Sequence, residues 1–145
     1  MVCLGNICRS PLAEGILKSK VDPDKVEVES AGTGGYHIGE KPDKRSINVA
    51  GKYGIDISMQ RCRKFRRRDL DEFDLIYAMD RTNLQDILVL ATNEGQRKKV
   101  KLLLEEGTAG GGEVPDPYYG GQDGFERVFQ LINGACEAIS IKLAK

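Results

Sequence analysis

The sequence predicts a single-domain α/β fold: an open parallel sheet of four strands flanked by helices on both faces, with an anion-binding loop between the first strand and the first helix. Three observations carry this expectation. Apolar runs of strand length alternate with helical periodicity along all 145 residues, the pattern of a parallel sheet covered on both sides. The segment Cys3-Leu4-Gly5-Asn6-Ile7-Cys8-Arg9-Ser10 reads as a tight loop opening onto a helix. The last segment repeats Phe125, Val128, Phe129, Ile132, Cys136, Ile139 and Leu143 at helical spacing, so one face of a long helix should pack on the sheet.

Taken in order, the first strand should lead directly into Cys3. Only Met1 and Val2 precede it, whereas strands usually run about 5–6 residues, so the first strand of the 1–145 domain is expected to be truncated. Pro11 to Lys18 opens a helix, with Pro11 in the first turn where its missing N–H costs nothing. Val26 to Ser30 reads as a strand, and Asp43 to Tyr53 as a helix with Asp43 as N-cap and Gly54 as the stop. Phe73 to Met79 is a second apolar strand, ending at Asp80 before the helical stretch Asn83 to Ala91. Lys99 to Leu104 is a further strand whose charges suit a sheet edge. Gly107 to Gly112 reads as a flexible surface connection. No internal repeat or second domain is visible.

The chemistry gathers in the first loop. Backbone N–H groups and the positive end of the macrodipole converge at a helix N-terminus, so a bound oxyanion is stabilised there and a thiol in the same place tends to ionise. Cys3 is therefore the candidate nucleophile. Arg9 supplies a planar fork able to grip two oxygens of a phosphoryl group. A thiolate that takes a phosphoryl group from an ester also needs an acid for the departing oxygen. Val114-Pro115-Asp116-Pro117-Tyr118-Tyr119-Gly120 offers one, since two prolines stiffen the chain around Asp116 and the tyrosines can wall an aromatic slot. Open α/β sheets bind ligands at the carboxyl ends of their strands, where both loops should lie.

Val2-Cys3-x-Gly5-Asn6-Ile7-Cys8-Arg9-Ser10-Pro11-x-Ala13-Glu14, with Asp116-Pro117-Tyr118-Tyr119-Gly120, resembles the low-molecular-weight protein tyrosine phosphatases. Ser30-Ala31-Gly32-Thr33, Tyr36-His37-Ile38-Gly39, Gly54-Ile55, Arg63 and Ala78-Met79-Asp80 with Asn83 extend the resemblance over nearly the whole chain. A bare C-x5-R arises by chance; with the GN and RSP elements and the distant DPYYG it is specific. The resemblance implies a protein tyrosine phosphatase working through a cysteinyl-phosphate, with Cys3, Arg9 and Asp116 catalytic. Leu4, Gly5, Asn6, Ile7, Cys8, Ser10, Tyr36 and Tyr118 would bind substrate. Within that set Asn6 would pin the loop, Ser10 would donate to the leaving thiolate, and Leu4, Tyr36 and Tyr118 would line the ring slot. Substrates would be phosphotyrosine proteins or small aryl phosphates. The family often carries a histidine where Gln60 aligns, and that histidine is thought to brace the phosphate loop.

Cys8 lies five residues after Cys3, close enough across a tight loop for a reversible disulfide that would shield the nucleophile from over-oxidation. Cys62 and Cys136 carry no evident chemistry and should pack. His37, the only histidine, reads as a surface residue. Arg61 to Arg68 is the densest charge run, offset by Asp69, Asp71, Glu72 and Asp74, and reads as a solvated face; a docking patch for acidic phosphopeptides is the alternative. Two rival activities stay open. Protein arginine phosphatases resemble the chain throughout but tend to carry threonine at the Ile7 position and lack the double tyrosine. Arsenate reductases need two further redox cysteines close together, which Cys62 and Cys136 do not suggest.

Composition narrows the classes. The chain is long enough to bury a core. Acidic and basic side chains balance at 22 each, and no run of about 18 apolar residues occurs, which argues against a membrane span or a chain built around nucleic acid. Four cysteines in a chain of this size do not make a disulfide scaffold, so a cytoplasmic monomer or weak homo-oligomer is expected. No metal-ligand spacing and no cofactor motif is present.

Overall fold

The structure, a computed structural model, describes residues 1–107 and 110–145. Four parallel strands run in the order β2-β1-β3-β4: β1 Val2–Cys3, β2 Ala31–Gly32, β3 Ile76–Ala78 and β4 Val100–Leu102. Helices α1 Arg9–Lys18, α2 Lys44–Lys52, α3 Asp69–Glu72, α4 Arg81–Leu90, α5 Glu94–Arg97 and α6 Gln122–Leu143 connect and cover them. None of these helices is long and apolar enough to cross a membrane.

Side chains along a strand alternate between faces, and the sheet uses this to build two cores. Cys3, Tyr77 and Met79 point into one, with Leu12 and Ile16 of α1, Val49 of α2, and the α6 stripe Phe125, Val128, Phe129, Ile132, Cys136 and Ile139. Val2, Ile76, Ala78 and Leu102 point into the other, with Leu70 of α3 and Ile87 of α4. The expected periodicity of the C-terminal segment is thus realised, and Leu143 packs at its margin. β4 lies at a sheet edge, as its charges suggest. Asp43 caps α2 by accepting the Arg45 amide at 2.8 Å, and Gly54 follows the helix at φ +78°.

The strand expected over Val26 to Ser30 is displaced. The assigned strand is Ala31–Gly32, because a ladder extends only as far as its partner and β1 is two residues long. The Met1 ammonium donates to the Glu29 carbonyl at 3.0 Å, continuing that pairing one step further. Gly32 of β2 forms a further parallel bridge with Lys64, which lies outside the four strands. Of the Gly107–Gly112 stretch, Thr108 and Ala109 lie outside the described residues. Gly107, Gly110, Gly111 and Gly112 all take positive φ, a conformation glycine adopts without steric cost.

Candidate active site

Residues 4–8 connect β1 to α1 at the carboxyl end of the sheet. Cys8 occupies the N-cap position of α1 and no side chain caps that helix, so its first-turn N–H groups stay open to an anion. The loop is held in shape from below. Asn6 takes φ +57°, the one positive value among the described non-glycine residues, and its side chain makes that turn tenable. Nδ2 donates to Ser10 Oγ at 2.8 Å and Ser30 Oγ at 3.0 Å, and Oδ1 accepts the Arg63 amide at 3.0 Å. Ser30 in turn donates to the buried Glu14 carboxylate at 2.8 Å, which Lys18 pairs at 2.7 Å. The Asn6 N–H donates to Cys3 Sγ at 3.3 Å, and Ser10 Oγ lies 3.0 Å from the same sulfur. Asn6 and Ser10 are themselves fully buried; they shape the loop rather than line the cavity above it.

Gly32 is where the loop and β2 meet. A Cβ there would stand 2.7 Å from the Leu4 carbonyl oxygen and 3.1 Å from the Asn6 nitrogen, so only glycine admits this approach.

Arg9 is 3% exposed and aimed by two acceptors. Its Nη1 donates to Asp80 Oδ2 at 2.7 Å and to the Val114 carbonyl at 2.9 Å. Asp80 uses its other oxygen to cap α4 through the Asn83 amide at 2.8 Å. Both carboxylate oxygens are therefore engaged, which makes Asp80 the anchor of the guanidinium and not a spare acid. Nη2 of Arg9 faces Asp116 Oδ2 at 3.8 Å. Asp116 is 48% exposed and accepts the Tyr118 amide at 3.0 Å through Oδ1.

A cavity of about 260 Å³ opens over this arrangement. It is lined by the buried Cys3, Cys8 and Arg9, by Gly5 and Ile7 of the same loop, and by the more exposed Leu4, Tyr36, His37, Asp116, Tyr118 and Tyr119. All the expected slot residues are there. His37, read from sequence as a surface residue, also lines the cavity; its Nδ1 lies 2.8 Å from Glu40 Oε2 and its ring packs beside Gly5. A larger cavity of about 490 Å³, lined by Met1, Glu29, Phe73 and Ile139, contains none of the loop residues; the convergence of thiol, guanidinium and carboxylate marks the smaller one.

The other cysteines are free thiols, and buried. Burial, with Asp43 and Cys3 nearby, pushes the Cys8 thiol far above its ordinary range. Burial pushes Cys62 up to about 11 and Cys136 up to about 12. Cys136 packs as expected. Cys62 does more than pack: its thiol donates to the Asn6 carbonyl at 2.7 Å. Gln60, in the position where the family often has histidine, donates to the Pro11 carbonyl at 3.1 Å and so holds the first turn of α1 instead of Asn6. Arg66, Arg67 and Arg68 form no ion pairs among the described residues. Of the acidic residues expected to offset the Arg61–Arg68 run, Asp69 does so by pairing with Arg63 at 3.0 Å, whereas Asp71 accepts from Gln96 at 2.8 Å. No group of three or more metal-ligating side chains stands together among the described residues.

A short parallel sheet carrying a thiol and an arginine at the open N-terminus of its first helix, with a carboxylate on a facing loop, defines the class of small cysteine-dependent phosphatases. The family model for low molecular weight phosphotyrosine protein phosphatase matches residues 1–145, and the chain belongs to that family. A low molecular weight protein-tyrosine-phosphatase of Streptomyces coelicolor is 40% identical over 141 residues, 92% of this chain and 85% of the relative. YfkJ of Bacillus subtilis, of the same description, is 38% identical over 150 residues, 99% of this chain and 94% of its own. Among solved structures, a protein tyrosine phosphatase of Entamoeba histolytica with Hepes in its active site superposes with a TM-score of 0.92 at 38% identity, covering 99% of this chain and 94% of that one.

Proposed function

We infer that the protein hydrolyses phosphotyrosine in proteins or small aryl phosphates, with Cys3 as nucleophile, Arg9 as phosphoryl clamp and Asp116 as general acid and base. The Cys3 sulfur attacks phosphorus in line, the ester P–O bond breaks, and Asp116 protonates the departing tyrosyl oxygen. The open N–H groups of α1 and the Arg9 fork stabilise the charge that develops on the equatorial oxygens. Water then attacks the cysteinyl-phosphate with Asp116 as base; the P–S bond breaks, and the Ser10 hydroxyl, 3.0 Å from the sulfur, donates to the leaving thiolate.

The observation that carries this reading is the contrast in exposure across one cavity: Cys3 and Arg9 are buried, Asp116 is half exposed 3.8 Å from the guanidinium, and Tyr118 and Tyr119 line the same cavity. On this reading a phosphate on an aromatic stem should reach the buried Cys3 sulfur, and a phosphoserine stem should fall short of it. The two tyrosine walls favour this substrate over phosphoarginine.

Cys3→Ser should abolish turnover yet still bind phosphate or vanadate, because the loop N–H groups and Arg9 remain. Acid-quenched wild type mixed with an aryl phosphate should carry a phosphoryl group on Cys3 by mass spectrometry. Full activity in Cys3→Ser, or a phosphoryl group on another residue, would sink the mechanism. For Cys8 the proposed role is redox protection. Peroxide oxidises the Cys3 thiolate to a sulfenic acid, and the Cys8 thiol then displaces water to form the disulfide. Mass spectrometry of the peroxide-treated protein that finds no Cys3–Cys8 link would remove that role.

A further inference from the structure

The first turn of α2 touches both catalytic loops, and the activity described above assigns it nothing. Asp43 donates its backbone N–H to the Ile7 carbonyl at 2.7 Å, and the fully buried Ser46 donates its hydroxyl to the Cys8 carbonyl at 3.0 Å. Both acceptors belong to the phosphate loop. Between them in sequence, Arg45 turns the other way. Its Nη2 donates to the Tyr118 carbonyl at 2.8 Å and its Nη1 to the Gly120 carbonyl at 2.9 Å, so one planar fork grips the loop that carries Asp116.

The guanidinium is itself held at its base. Nε and Nη2 donate to the two oxygens of Asp43 at 3.1 and 3.0 Å, a bidentate pairing that fixes direction as well as charge. Its plane lies over Phe125 of α6, 4.5 Å from the ring centroid, and 5.6 Å from that of Tyr118. The Asp43 side chain is largely buried; burial alone would push its carboxyl up, but the bonds from Arg45 outweigh this and hold it below the usual carboxylate range. The pair therefore remains an ion pair at neutral pH.

The grip bears directly on Asp116. The Asp116 carboxylate accepts the Tyr118 N–H, and the carbonyl of that same Tyr118 is what Arg45 holds. The loop has two tethers. Upstream, Val114 donates to the Met79 carbonyl at 2.8 Å and accepts from Arg9. Downstream, among the described residues, the side-chain tether of the 118–120 turn to the body of the protein is Arg45. Asp116 sits between them, about half exposed, with its reach to the leaving oxygen set by both.

We propose that Arg45, fixed by Asp43, is a positioning residue that sets the general acid Asp116 over the phosphate loop, so that the first turn of α2 makes one rigid unit of the two loops. Misplacing a catalytic group by about 1 Å can cost 10²-fold, and freeing one of two tethers should shift Asp116 by less. The effect should fall on protonation of the leaving group and spare oxyanion binding, which depends on Cys3, Arg9 and the α1 N–H groups.

This rests on the reading of Asp116 as the acid, and the experiment separates the two. The readout is the ratio of kcat/KM on phosphotyrosine to kcat/KM on a nitrophenyl phosphate, whose acidic phenol needs little protonation. A ratio on one preparation is independent of how much of it is folded. Arg45→Met puts an uncharged side chain of similar reach against Phe125 but cannot donate; the ratio should fall about 10-fold, with vanadate affinity unchanged. Arg45→Lys, which keeps the charge but reaches a single acceptor, should fall between Arg45→Met and wild type. In an Asp116→Asn background Arg45→Met should lower the ratio no further, since the proton it positions is gone. Wild-type ratios in both single variants, or a further 10-fold drop in the double variant, would overturn the proposal. An unchanged ratio in Asp116→Asn alone would instead overturn the reading of Asp116.

Discussion

The two loops to which the proposed mechanism assigns the chemistry are built on different principles. The phosphate loop is a single short segment whose polar side chains are buried and mutually bonded: Asn6 to Ser10, Ser30 and the Arg63 amide, Ser10 to the Cys3 sulfur, Ser30 to Glu14. The loop of the proposed acid is reached from outside, by Arg9 at Val114 and by Arg45 at Tyr118 and Gly120, and its Asp116 carboxylate stands half in solvent. The chemistry explains the contrast. An oxyanion site must be pre-shaped before charge develops, because reorganising dipoles at that moment forfeits their stabilisation. An acid needs to meet a leaving group whose position varies with substrate, and a tethered loop suits that.

Separability is the first consequence to test, and it carries the largest expected effect. A tyrosyl oxygen leaves poorly as an anion, so Asp116→Asn should lower kcat on phosphotyrosine by roughly 10²–10⁴. The loss on a nitrophenyl phosphate should be much smaller and vanadate affinity unchanged. Equal losses on both esters would mean that Asp116 only shapes its loop.

The opposite cut falls on Gly32. A methyl group there meets the Leu4 carbonyl and the Asn6 amide, both backbone, and neither can yield without moving the loop that holds Cys3. Gly32→Ala should cost about 10² in kcat/KM on both esters alike, comparable to losing one oxyanion donor, and should weaken vanadate binding. Retained vanadate affinity would show that the loop tolerates displacement after all.

Asp80 tests the hinge between the two regions, since the Arg9 group that it anchors also holds Val114. Asp80→Asn keeps the helix-capping oxygen but removes the charge from the nearly buried Arg9. Hydrogen bonds to charged groups contribute about 1.5–3 kcal/mol, so a loss of roughly tenfold or more is expected, shared by both esters. A selective loss on phosphotyrosine would instead make Asp80 part of the acid machinery.

How much of this the sequence disclosed follows from the same contrast. The phosphate loop was legible because its working groups lie between Cys3 and Ser10, and local spacing is what a sequence displays. Asp116 was legible through its flanking prolines and tyrosines. Their tethers were not: Asp80 to Arg9, Arg45 to Tyr118 and Cys62 to Asn6 join residues 56 to 73 positions apart, and no periodicity marks such pairs. His37 is partly exposed, as a surface residue should be, and its place beside the cavity depends on packing against Gly5 that local spacing does not display. The displaced second strand has another cause. Val26 and Val28 alternate as a strand should, and both are packed against the core, but strand assignment also needs a partner, and β1 begins only at Val2. Alternation reports burial; it does not report pairing.

The smallest expected effect lies deepest beneath the phosphate loop. Ser30 Oγ receives a hydrogen bond from Asn6 and donates one to Glu14, joining a residue with positive φ to a buried carboxylate. In Ser30→Ala, Asn6 Nδ2 keeps Ser10, and its Oδ1 keeps the Arg63 amide, so the turn survives with one brace fewer. Glu14 keeps Lys18. The net worth of one such bond is about 0.5–1.5 kcal/mol, rising when a buried partner is left unmatched. For a chain of this size that corresponds to a Tm lowered by about 2–6 °C. Any activity loss should be severalfold at most and equal on phosphotyrosine and nitrophenyl phosphate, because the brace serves the loop that both esters share. A leaving-group-dependent loss in Ser30→Ala would break the comparison itself, for it would mean that the buried network beneath the nucleophile also governs the acid loop above it.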